Sequence, residues 1–106
     1  MKKLTQKHID RLRNDPCYDK WCDLACDYVL SEDFIREFNE YLNWGDVSSY
    51  QVLSESFIRE FQDKVNWYGI SCAQKLSKEF INEFSYKLSY IHLCQNPYLS
   101  VVVKAL

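Results

Sequence analysis

The chain repeats itself every 23 residues, and that period limits the folds open to it more than any other property. Residues 21–43 align without a gap on residues 44–66 with 12 identities in 23 positions, and residues 67–89 follow in the same register. Seven columns are identical in all three units: Trp21/Trp44/Trp67, Leu30/Leu53/Leu76, Ser31/Ser54/Ser77, Phe34/Phe57/Phe80, Ile35/Ile58/Ile81, Glu37/Glu60/Glu83 and Phe38/Phe61/Phe84. A unit this short cannot shield its own apolar side, so successive copies have to cover one another.

The ends are degenerate. A fourth unit starts at Tyr90 with Leu93, Leu99 and Ser100 in register, but Val103-Lys104 stands where Phe-Ile is expected. Upstream, Leu4-Thr5 matches the Leu-Ser step, and Ile9 and Leu12 match the isoleucine and the second phenylalanine. Three extra residues around Asn14-Asp15-Pro16 separate this half-unit from Trp21. Terminal units with one face in water are expected to depart from the interior pattern.

Each unit reads as two short helices. Ser31, Ser54 and Ser77 are N-caps for the second helix, because a hydroxyl there accepts from an otherwise unpaired first-turn amide. Leu30/Ile35 and its copies form hydrophobic staples across that cap. Phe34, Ile35, Phe38, Tyr41 and Leu42 fall on one arc, and Glu32→Arg36 and Glu55→Arg59 are i,i+4 pairs on the wet side. Asn43 and Asn66 cap the first helix, where Trp44, Val47 and Gln51 share a face, as do Trp67, Ile70 and Gln74. Helices this short are unstable alone. The expected fold is therefore all-α, with short two-helix repeats stacked into one small solenoid-like domain. Its parts are an N-terminal half-unit or cap (1–20), repeats at 21–43, 44–66 and 67–89, and a partial C-terminal unit (90–106). Glycine and proline total only four, too few for the turns of an all-β fold.

Charge is uneven along the chain. Residues 1–20 balance at +3 and residues 21–66 at −7. So acidic a centre repels phosphate, and direct duplex binding there is not expected. The charge reads first as a solvated acidic face and second as a surface that imitates nucleic acid or fits a basic partner. The N-terminus lacks the apolar core of a signal peptide, and no apolar run approaches the ~18 residues of a membrane span. A cytoplasmic protein with no membrane association is expected. The five cysteines are an odd number, read most simply as small apolar residues of a reducing compartment.

Little in the chain suggests catalysis. Cys17, Cys22, Cys26 and His8 form the only candidate metal cluster, but C-x4-C-x3-C is not a usual zinc spacing and lacks a clear fourth ligand. His8 and His92 stand near opposite ends, outside any nucleophile–base motif, and Gly45 and Gly69 are too few for a phosphate loop. Neither metal nor cofactor is expected. The tryptophan column is read as packing between helices rather than a stacking platform. The informative positions are those that vary over a constant core: Cys22/Gly45/Tyr68, Asp27/Tyr50/Ala73, Tyr28/Gln51/Gln74 and Tyr41/Lys64/Lys87. Repeat proteins use such positions for recognition. The candidate partner-binding residues are Tyr28, Tyr50, Tyr68, Gln51 and Gln74, with Asp23, Asp27 and Asp46 as the acidic component.

The motif W-x-x-[LVI]-[AS]-x4-L-S-x-x-F-I-x-E-F resembles short helical repeats in uncharacterised proteins of large DNA viruses and bacteriophages. The resemblance covers Trp21 to Ser89 and implies a helical repeat fold and a viral or phage origin, with no activity attached. The chain departs from it where the last unit loses its Phe-Ile pair and where His8 replaces the first phenylalanine. Together these readings lead to a non-enzymatic protein–protein interaction module. On the viral reading it acts in the host cytoplasm and inhibits a host defence complex, its acidic surface facing a basic nucleic-acid-binding groove. The alternative is a self-assembling scaffold that forms a homodimer through the apolar C-terminal partial repeat.

Overall fold

The computed structural model describes residues 2–14 and 21–98 of the protein. Cys17, the insertion after Asn14 and the residues from Leu99 onward, on which the homodimer expectation leans, lie outside them. The described chain is mostly helical. A two-residue strand β1 (Lys2–Lys3) and helix α1 (Gln6–Arg13) come first. The first full unit holds α2 (Trp21–Asp27), strand β2 (Tyr28–Val29) and α3 (Glu32–Glu37). The second holds α4 (Trp44–Tyr50) and α5 (Glu55–Glu60), the third α6 (Trp67–Ala73) and α7 (Lys78–Glu83), and α8 (Tyr90–Gln95) follows. No helix among the described residues is long and apolar enough to cross a membrane.

Local chemistry sets the helix starts. Ser31, Ser54 and Ser77 accept from Phe34, Phe57 and Phe80 N–H, while Asn43 and Asn66 cap α4 and α6. Each first helix then ends at a residue in extended backbone, Gln51 or Gln74, and the chain runs on extended into the next serine cap. Helices α2, α4, α6 and α8 pack against one another in chain order. Between them and the second helices lies the core: Leu30, Leu53 and Leu76, Phe34, Phe57 and Phe80, and Ile35, Ile58 and Ile81 are all buried.

Two local expectations need correction. Helix α3 stops at Glu37, so Tyr41 leaves the expected apolar arc; it is exposed and stacks on Trp21 at 5.2 Å. The i,i+4 pairs are also replaced. Arg36 binds Glu60 (3.1 Å) and Asp33 (3.0 Å), Arg59 binds Glu83 (2.9 Å), and Glu32 and Glu55 turn instead to the next serine cap. A neighbouring helix offers each guanidinium a carboxylate that meets it through two nitrogen–oxygen contacts at Arg36 and three at Arg59, which a partner on its own helix does not match.

The strand pair was not expected from the sequence. Lys2 and Lys3 run parallel to Tyr28 and Val29 in the register that sets Leu4 beside Leu30. Tyr28 occupies the column that holds glutamine in the next two units, and there the glutamine amide bridges the same extended segments.

Candidate interaction surface

The eight candidate residues do not share one environment. Gln51 and Gln74 are 2% and 3% exposed, so they cannot contact a partner. Gln51 donates to the carbonyls of Ala25 (2.6 Å) and Tyr28 (2.7 Å) and accepts from Leu30 N–H (2.8 Å). Gln74 repeats this one unit later, donating to Ser48 (2.9 Å) and Gln51 carbonyls and accepting from Leu53 N–H (3.1 Å). Each amide thus satisfies three backbone groups that burial would otherwise leave unpaired. Both glutamines are structural, and the sequence assignment to a binding surface is corrected here. Asn96 takes this place after α8, donating to Ser71 and Gln74 carbonyls at 2.9 and 2.8 Å.

The other candidates reach solvent to different degrees. Tyr28 is half-buried, its ring edge-on to His8 at 5.5 Å. Tyr50 is 56% and Tyr68 is 64% exposed. They border separate hollows. Tyr50 stands with Val52, Ala73, Lys75 and Tyr98 around one of about 280 Å³, and Tyr68 with Trp67, Lys87 and Leu88 around one of about 570 Å³. Asp23 and Asp27 are exposed and Asp46 is half-buried. Their negative field converges on the Cys26 thiol, whose pKa is raised first by burial and then by Asp27, Asp46 and Asp23. A thiol so placed is held protonated and is a poor nucleophile.

Much of the remaining acidity is already engaged. Glu37, Glu60 and Glu83 pair with Arg13, Arg36 and Arg59, each 24 residues away in sequence. The guanidinium groups hold the Glu37 and Glu83 carboxyls below their ordinary range through these hydrogen bonds. Ser48 and Ser71 hydroxyls accept from Asn66 and Ser89 N–H, both at 2.9 Å. Lys64 and Lys87 reach Asn39 and Gln62 at 2.6 and 3.2 Å. The constant glutamate column, and the serine and lysine pairs that the second and third units share, therefore spend their polar atoms between units.

Trp44 and Trp67 are half-buried against Phe61 and Phe84, at 5.3 and 5.2 Å, and their indole N–H groups donate to Asn39 and Gln62 carbonyls. That environment suits packing. Among the described residues, no group of three or more His, Cys, Asp or Glu is gathered closely enough to hold a metal ion. Ser89 Oγ and His92 Nδ1 are 2.7 Å apart, but the serine is the N-cap of α8 and its oxygen also accepts from His92 N–H.

Sequence reasoning missed the most exposed large apolar residue among the described ones, Val52 at 93%, and the exposed Tyr86, Tyr90, Ile91 and Tyr98. Two of them carried a signal. Val52 shares a column with Lys75, and Tyr86 shares one with Glu40 and Asp63, both of which a solvent-facing position allows. The protein is thus a mostly helical one in which the buried Gln51 and Gln74 bind its own backbone while Tyr50 and Tyr68 reach solvent. No protein-family model, curated protein or solved structure matches the chain.

Proposed function

We infer that the chain is a non-enzymatic protein-interaction module, built as a short solenoid-like stack of two-helix units with principal extents of 48 × 24 × 19 Å. Its recognition surface is the side of α2, α4 and α6 that carries Asp23, Asp27 and Asp46 with Tyr50 and Tyr68. One observation carries this reading. The constant Glu37, Glu60 and Glu83 are paired with Arg13, Arg36 and Arg59 of the same molecule, while Tyr50 and Tyr68, at positions that differ between units, are more than half exposed. Exposed tyrosine offers large contact area at low entropy cost, as binding hot spots require. The acidic component favours a basic partner surface. Joined to the resemblance to viral and phage repeats, the proposed partner is a nucleic-acid-binding protein of a host defence complex, engaged in the host cytoplasm.

The test is co-precipitation of such complexes by the wild-type protein and by Tyr50→Ala/Tyr68→Ala and Asp27→Asn/Asp46→Asn variants, at low and high salt. The reading expects both variants to lose a partner that wild type retains, and expects salt to weaken its capture. Retention of every partner by both variants would discard it.

A second reading, homodimerisation near α8, rests on the exposed Tyr90, Ile91 and Tyr98. Light scattering across a concentration series, on wild type and Ile91→Glu, decides it. A mass that stays monomeric throughout removes the dimer.

A further inference from the structure

The junctions between units are alike in the interior and different at the N-terminal end. At each interior junction a glutamate closes on the capping serine of the next unit. Glu32 accepts from Ser54 N–H (2.7 Å) and hydroxyl (3.1 Å), and Glu55 does the same for Ser77 (2.6 and 3.1 Å). One turn further, Arg36 and Arg59 lay their guanidinium groups over the Phe57 and Phe80 rings, both at 5.2 Å.

The junction of α1 with α3 keeps the same register but not the same residues. Gln6 stands where the glutamate belongs and Asp10 where the arginine belongs. Gln6 donates its amide to Asp10 (3.0 Å) and is exposed, whereas Glu32 and Glu55 are half-buried. Beside them lies a mostly apolar hollow of about 280 Å³, lined by Lys3, Leu4, Ile9, Val29, Ser31 and Phe34. Lys3, on the rim of this hollow, occupies the column of Val29 and Val52, so its ammonium stands where the preceding segment of each interior junction has valine. Lys2 and Lys7, both exposed, add to the same sign.

We propose that this hollow docks an acidic segment of a partner protein, a glutamate or aspartate flanked by aliphatic residues. Its carboxylate takes the place on Ser31 that Glu32 takes on Ser54, and its apolar neighbours lie against Leu4, Ile9 and Phe34. The same molecule contains two filled copies of the arrangement, each closed by a carboxylate, and the open copy lacks that carboxylate while carrying Lys3 on its rim. Charge complementarity and the interior precedent therefore select the same ligand class. The hollow is distinct from the tyrosine-bearing side, so the outcome here is independent of the function proposed above.

The probe is a blocked tetrapeptide, acetyl-Leu-Glu-Val-Leu-amide, titrated into the isotope-labelled full chain and followed by amide chemical shifts. Saturable shifts at Leu30, Ser31 and Phe34 are expected. The glutamine analogue should bind at least about tenfold more weakly, the worth of a charge-assisted hydrogen bond. Rebuilding the interior pattern with Gln6→Glu and Asp10→Arg should fill the hollow from within, raise Tm and abolish peptide binding. Should that double variant not fold, Lys3→Glu makes the same test from an exposed strand residue and must weaken binding. Absent shifts at Ser31, equal binding of the glutamine peptide, or undiminished binding by the folded variant would each overturn the proposal. So would the same shifts appearing with protein concentration alone, which would hand the hollow to a second copy of the chain.

Discussion

The two rows of helices are held in one register by opposite kinds of physics. Along α2, α4, α6 and α8 the contacts are close and dry. Small residues line the approach, and buried amides from Gln51, Gln74 and Asn96 tie each extended segment to the one before. Along α1, α3, α5 and α7 the spacers are mainly phenylalanine rings, and the polar links are Arg–Glu pairs, their side chains about two-fifths exposed, together with Glu32 and Glu55 on the next serine caps. A buried hydrogen bond contributes little net when made but costs its full desolvation penalty when broken. An exposed ion pair is screened in both states and is worth little either way. Register between units should therefore depend on the dry row, while the wet row tolerates change.

The largest expected effect comes from removing a buried amide at nearly constant shape. Gln74→Leu strips the partners from Ser48 and Gln51 carbonyls and from Leu53 N–H. At about 1 kcal/mol or more for each orphaned buried group, the loss is about 3 kcal/mol or greater, read by urea denaturation. A loss below that of an ordinary surface substitution would erase the contrast between the rows.

Gly69 sharpens the same contrast at intermediate size. A Cβ there would stand 2.7 Å from Ser49 Oγ, 3.0 Å from Ser48 Cβ and 3.3 Å from the Ser48 carbonyl carbon. The hydroxyl can rotate away, but the Ser48 carbons cannot, so α6 has to part from α4. Gly69→Ala should cost about 1–2 kcal/mol net, with overpacking outweighing the gain in helix propensity. Gly45→Ala is the control. Its Cβ meets only side-chain atoms, Asn43 Oδ1 at 3.1 Å and Asn66 Nδ2 at 3.8 Å, and its Tm should stay near that of wild type. Equal losses at the two glycines would contradict the close approach of α4 and α6.

The same contrast explains what the sequence disclosed. Caps and core were legible because they follow from local rules: Ser31, Asn43 and Phe34 have their roles fixed by neighbours within a few residues. Gln51 and Gln74 were misassigned because Tyr28 made their column look variable. Yet both share a helix face with Val47 or Ile70, which are buried, and a polar residue on an inward face has to serve buried backbone. The Arg36–Glu60 pairing was hidden for a different reason. A partner four residues away is visible in a linear pattern, whereas one 24 residues away depends on how units sit against each other. Among binding candidates, Tyr50 and Tyr68 proved exposed because their columns carry small or polar residues in other units, which no buried position of that size would accept.

The smallest effect belongs to the wet row, and its sign with pH is fixed. Glu37 and Glu83 have folded-state pKa values below their ordinary ones because Arg13 and Arg59 hydrogen-bond the charged carboxylates. A depressed acid contributes stability that is fully present above its unfolded pKa and is lost as pH falls through its folded pKa. Stability should therefore be flat around neutrality and decline as pH drops below the ordinary carboxylate range. Glu37→Gln and Glu83→Gln should each remove part of that acid slope while moving the neutral-pH Tm only slightly. Added salt should shrink even that shift, since the pairs are exposed. Gln74→Leu offers the opposite signature, a large loss indifferent to both pH and salt. If the glutamate variants lost as much stability at neutral pH as Gln74→Leu, the ion pairs rather than the buried amides would be setting the register.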